Sequence, residues 1–139
     1  MIIMSIKKKL SWYFELLGIK YKETPEGFIL YYRMGDKRVS ILVKIYEEWV
    51  EFKWIGLNMG SIKQRSPDLY VILLETLLKL NNVIREVKIG IDEEDNIVVL
   101  IHSHRDALFF DVFESEFMAI PLTIRAILEI EPLKRMVSK

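Results

Sequence analysis

The chain has 139 residues, enough for one domain with its own core and too few for two comfortable ones. Apolar residues make up 51%, which excludes a disordered chain. Lys plus Arg and Asp plus Glu number 20 each, so the formal net charge is zero; this excludes a global pull on nucleic acid or acidic lipid and leaves little repulsion between copies.

The start, MIIMSIKKKL, puts apolar residues before basic ones, the reverse of a secretory leader. No apolar run approaches the roughly 18 residues of a membrane span, so a cytoplasmic location is expected. Abundant isoleucine, a single glutamine (Gln64) and much Lys and Glu lean towards a thermophilic source.

Ile6, Leu10, Phe14 and Leu17 share one helical stripe, with Lys7, Ser11 and Glu15 opposite. The pattern predicts a helix over 5–17, with Ser5 at its start and Gly18 where it ends. Aromatic and β-branched runs follow at 27–33, 38–46 and 49–55, separated by the turns TPEG, MGDK and YEE. In TPEG, proline fixes one dihedral and glycine is free to take the other. Val39, Ile41, Val43 and Ile45 alternate with polar neighbours, as do Val50, Phe52 and Trp54, which predicts an antiparallel meander.

Residues 56–65, GLNMGSIKQR, read as a loop with two glycines and no apolar period. The next stretch, SPDLYVILLETLLKL, opens with a capping Ser66, Pro67 in the first turn and Asp68, and Asn81-Asn82 ends it. VIREVKIGIDEEDNIVVLIHSH reads as a hairpin, with DEEDN as a solvated turn. A last helical stripe runs through Phe109, Phe113, Phe117, Ile120, Ile124 and Ile127. Pro121 lies inside it and predicts a kink or break, and Pro132 limits its far end.

The expected fold is therefore α+β over residues 1–139: an antiparallel sheet of about five strands with three helices on one face, in the order α-β-β-β-α-β-β-α. That order, with FELLGIKYKETPEGFILYYR at the first helix–strand junction and LLKLNNVIREVKIGIDEEDNIVVLIHS at the hairpin, resembles the class I type III secretion chaperone fold. It resembles still more the bacterial YbjN-like regulator family that shares this fold. The resemblance implies dimers, and for the secretion chaperones it implies binding of extended stretches of partner protein along hydrophobic patches. It implies no catalytic residues. The family's hairpin turn often carries glycine where this chain has Asn96, which can also take a left-handed backbone.

The candidate chemistry is sparse. The chain has no cysteine, so a disulfide, thiol nucleophile or cysteine-type zinc site is excluded. His102 and His104 stand at i and i+2 of a strand and could share a metal with Asp106; two solvated histidines are the competing reading, and no cofactor or metal is expected. DEEDN lacks the glycine and terminal glutamate of a calcium loop. Lys7–Lys9 with nearby aromatics could suggest single-stranded nucleic acid, but a balanced charge and a solvated lysine side speak against it. Gly56 and Gly60 have the wrong spacing for a phosphate loop.

The 66–80 helix is apolar almost all round, whereas a helix on a sheet needs only about a 100° stripe. Leu69, Tyr70, Leu73, Leu74 and Leu77 are its candidate homodimer seam; burial by the other two helices is the alternative. Aromatic residues on both sheet faces make Tyr31, Trp49 and Trp54 candidates for binding a protein partner, against a background of ordinary scattered apolar surface. The expected function is a non-enzymatic protein-interaction module. A small metal-dependent or ligand-binding enzyme built on His102 and His104 is the alternative.

Overall fold

The computed structural model describes residues 2–84, 86–131 and 133–134, with side chains from residue 6 onward. Helix α1 spans Ile2–Leu16 and is followed by β1 (Lys20–Glu23), β2 (Gly27–Met34), β3 (Lys37–Ile45) and β4 (Trp49–Asn58). A short α2 (Gly60–Arg65) leads to α3 (Pro67–Val83), then to β5 (Lys88–Ile91), β6 (Asn96–His104), a 3₁₀ turn at Arg105–Ala107 and α4 (Phe110–Leu128). The strands form one six-stranded sheet in the order β1-β2-β3-β4-β6-β5, antiparallel through β1–β4 and again at β5–β6. The α+β class and element order follow the sequence pattern, with one more strand and one more short helix.

Two compact units are present: Met1–Trp54 with Ile101–Phe117, and Ile55–Leu100 with Met118–Lys139. In the first, the alternation of β2–β4 places Phe28 opposite Val43 and Val43 opposite Phe52, so one face is apolar across three strands. Aromatic rings cover that face. Phe14 meets Phe28 edge-on at 5.1 Å, and Phe113 lies 5.7 Å from both Phe14 and Phe52. All five rings or branches are almost fully buried, so this cluster dominates the unit's apolar burial. In the second unit, Leu73 and Leu77 of α3, Ile89 of β5, Ile97 and Val99 of β6, and Ile120, Ile124 and Ile127 of α4 are buried.

Helix ends depart from expectation in informative ways. Helix α1 begins at Ile2, so Ser5 lies inside it and not at its cap; the Ser5 side chain is outside the described residues. Its C-terminus is a Schellman closure: Gly18 (φ +68°) donates to Glu15 and Ile19 to Phe14, at 3.1 and 2.8 Å. Ser66 occupies the N-cap of α3 yet makes no side-chain capping bond. Asn81 and Asn82 lie in the last turn of that helix, which closes one residue later at Val83, and Asn81 is in addition held by a strand.

Helix α4 runs unbroken through Pro121, which is buried beside Ile120 and Ile124. Apolar packing there outweighs the lost backbone bond. Pro132 lies outside the described residues. Phe109 precedes α4 and is 60% exposed; Leu108 takes its place in the core. GLNMGSIKQR is not a loop: β4 continues to Asn58, Met59 is fully buried, and α2 follows.

The turns also hold corrections. Gly27 has no left-handed backbone; it opens β2 where Val43 of β3 approaches closely. At DEEDN the left-handed residue is Asp95 (φ +66°), and Asn96 already belongs to β6. Asp92 Oδ1 accepts from the backbone N–H of Glu94 and of Asn96, both at 2.9 Å, which folds the turn on its own carboxylate.

Candidate functional site

The two histidines project from one side of β6, as their spacing requires, but each ring is engaged locally. His102 Nε2 lies 2.7 Å from Glu51 Oε2. His104 Nδ1 accepts from the Asp106 backbone N–H at 3.2 Å, capping the 3₁₀ turn, and its ring stands edge-on to Trp49 at 5.2 Å. The Asp106 carboxylate is 4.0 Å from Nδ1 and almost wholly exposed. Among the described residues, no group of three or more His, Cys, Asp or Glu gathers in a way that could hold a metal. The arrangement does the work of sheet pairing and turn capping.

Acidic DEEDN is a docked turn, not a freely solvated one. Asp95 accepts at its carbonyl from Met59 N–H (2.8 Å), and its carboxylate faces Lys63 Nζ and Tyr70 Oη at 3.5 Å. Asn58 Nδ2 donates to the Glu94 carbonyl at 2.7 Å and to Asn96 at 3.0 Å. The turn therefore anchors β4, α2 and α3. Its signal in the sequence was hidden, because the partners are 25 to 38 residues away.

The lysines of α1 are not a common basic face. Lys7 is half-buried and donates to the Thr24 carbonyl at 2.9 Å, whereas Lys9 lies 5.5 Å from the Phe109 ring.

The candidate seam on α3 divides. Leu73 and Leu77 are 1% and 4% exposed, so they are core residues of the chain. Leu69, Tyr70 and Leu74 are half-buried, and the Tyr70 hydroxyl is turned to Asp95. The outward apolar side chains are instead Val71, Ile72, Leu78 and, at the helix end, Val83, each more than half exposed. Val71, Leu74 and Leu78 are spaced i, i+3, i+7 and form one row on the helix flank. Sequence reasoning saw the excess of apolar residues but could not fix which side the sheet takes.

The outer sheet face divides too. Trp54 is 7% exposed and lies on the buried face with Val50 and Phe52, as its alternation with Glu51 and Lys53 dictates. Tyr31 and Trp49 are both near half exposed, but they do not form one patch. Tyr31 is opposite Ser40, whereas Trp49 follows the β3–β4 turn, some six residues farther along β3, or roughly 20 Å. Between them stand Leu42, Lys44 and the Glu51–His102 pair. On α1, Trp12 and Leu16 add an exposed apolar pair at i, i+4 that the stripe analysis passed over.

The fold defined by this order, an α-helix, a four-stranded meander, a helix, a hairpin and a closing helix, is that of the YbjN-like and type III secretion chaperone-like proteins. The structure is similar to YbjN from E. coli, at a TM-score of 0.65 and 15% identity over 94% of this chain and 91% of that one. It is similar to the Yersinia pestis type III secretion chaperone SycH, solved in complex with a fragment of YscM2 (0.54, 15%, 86% and 98%). It is also similar to one chain of the heterodimeric ExoU–SpcU complex from the Pseudomonas aeruginosa type III secretion system (0.61, 14%, 86% and 96%). No family model and no curated relative matches the sequence. Among the described residues, no helix is long and apolar enough to cross a membrane.

Proposed function

We propose that this chain is a non-enzymatic protein-interaction module that associates as a homodimer and binds another polypeptide. The observation that carries the reading is the Val71–Leu74–Leu78 row on α3, an apolar flank left over after Leu73 and Leu77 have met the core. Exposed apolar rows of this kind mark association surfaces, and a symmetric pair of such helices is the simplest way to cover them. Supporting it, SycH and one chain of the heterodimeric ExoU–SpcU complex share this fold and were solved with partner polypeptides. Trp12 and Leu16 of α1 are a second apolar surface, available to the partner chain.

The test is the mass of the full chain in solution by light scattering. The wild type is expected at twice the chain mass at micromolar concentration. Val71→Glu with Leu78→Glu is expected to give a monomer with an unchanged circular dichroism spectrum, because both positions are exposed. A monomeric wild type, or a dimer indifferent to both changes, overturns the homodimer. Changing Leu73 or Leu77 would not answer the question, since these are core positions.

A further inference from the structure

Strand β2 outruns its neighbour. The β1–β2 pairing ends at Lys20 opposite Tyr31, yet β2 continues through Tyr32, Arg33 and Met34. The missing stretch of β1 is replaced by the Schellman closure of α1, which turns the chain away at Gly18. A cleft of about 510 Å³ results, lined by Leu17, Gly18, Ile19, Lys20, Tyr31, Tyr32, Arg33 and Arg38. That volume is in the range of small-ligand sites.

Its charge is one-sided. Arg33 and Arg38 are direct cross-strand partners on β2 and β3, an arrangement in which like charges repel. Lys20 adds a third cation, and among the described residues no carboxylate lines the cleft. Among the described residues none of the three has an ion pair, although Asp36 lies in the turn between the two arginines. Other cations, such as Lys22, Lys37 and Lys53, also lack an ion pair among the described residues; what sets this place apart is that three such cations line one cleft. Two arginines directly opposite each other on neighbouring strands suit the oxygens of one dianion, and the exposed Tyr31 ring with Leu17 and Ile19 offers apolar surface in the same cleft.

We propose that this cleft binds a small organic phosphate, with the phosphoryl group between Arg33 and Arg38, Lys20 beside it, and the organic body against Tyr31, Leu17 and Ile19. The proposal stands apart from polypeptide binding and from the α3 flank.

Phenyl phosphate is the probe, titrated into the full chain while backbone amide resonances are followed. Saturable shifts are expected, confined to residues 17–20 and 31–38. Arg33→Gln with Arg38→Gln is expected to weaken the apparent affinity by at least about tenfold, the scale of losing charge-assisted bonds to one group. Arg38→Gln alone, a single exposed change, moves it in the same direction, and amides far from the cleft report that the fold is kept. Phenol should not bind. Shifts that never saturate, shifts spread over the whole surface, or affinity unchanged in the arginine variants would overturn the site. Inorganic phosphate binding as tightly as phenyl phosphate would overturn the role given to Tyr31, Leu17 and Ile19.

Discussion

Two glycines near the first hairpin show how differently the same residue type is used. At Gly18 an added Cβ would meet nothing within 4 Å, and the constraint is the backbone, φ +68°. At Gly27 the backbone is ordinary and the constraint is space, since a Cβ would fall 2.0 Å from the Val43 carbonyl oxygen. Gly18→Ala should therefore cost about 1–2 kcal/mol through backbone strain alone. Gly27→Ala should cost about 3 kcal/mol or more, because β2 and β3 must separate or slip, and overpacking of this kind has no soft side chain to absorb it. Urea denaturation of the two variants checks the order. A Gly27→Ala variant as stable as Gly18→Ala would mean that the β2–β3 register tolerates a shift. The sequence marked Gly18 as a helix end and Gly27 as a turn glycine free in its backbone, and could not show the second constraint, because the contact that matters at Gly27 comes from sixteen residues away in another strand.

At the level of elements, the long alternations and stripes were legible, and what stayed hidden were the tertiary contacts made at their ends. Asn81-Asn82 reads as a stop because asparagine competes with the helical backbone. In the fold, Asn81 accepts from Ile89 N–H at 3.1 Å and faces the Ile89 carbonyl at 3.4 Å, so its amide substitutes for a neighbouring strand. β5 is the last strand of the sheet, and its outer edge would otherwise present unpaired backbone. Asn81→Ala is expected to cost about 1 kcal/mol and to speed amide exchange selectively within Lys88–Ile91. Uniform acceleration throughout α3 and β5 would instead point to a general loosening and against a clamp. Helix α2 was illegible for the opposite reason: it is six residues long with no buried side chain, and so carries no period to read.

At the scale of the whole molecule, balanced charge and a plain order of helices and strands were enough to reach the fold, while the cleft beyond β1 was not. It exists because one strand stops early, and strand length is a property of pairing, not of composition. The resolved shifts in proton affinity give the chain a directional response to pH. Tyr13 is pushed up by burial and then by the charge of Asp111; Tyr21 by burial and by Glu15; and Lys44 chiefly by Glu26. In each case the folded state holds its proton more tightly than the unfolded chain. Their contribution is therefore complete below the unfolded values, about 10 for tyrosine, and is lost as pH rises through the folded ones. Tyr13 matters most, since it is buried whereas Tyr21 and Lys44 are more exposed, and its hydroxyl donates to the Leu108 carbonyl at 3.2 Å across 95 residues of chain. Tyr13→Phe should lose about 1 kcal/mol at neutral pH by forfeiting that bond. It should also flatten the decline in stability above about pH 10. Denaturation midpoints measured across that range for both proteins test the sign: an identical alkaline decline in the variant would place the sensitivity elsewhere, whereas a shallower one ties it to the phenol that joins α1 to the turn before α4.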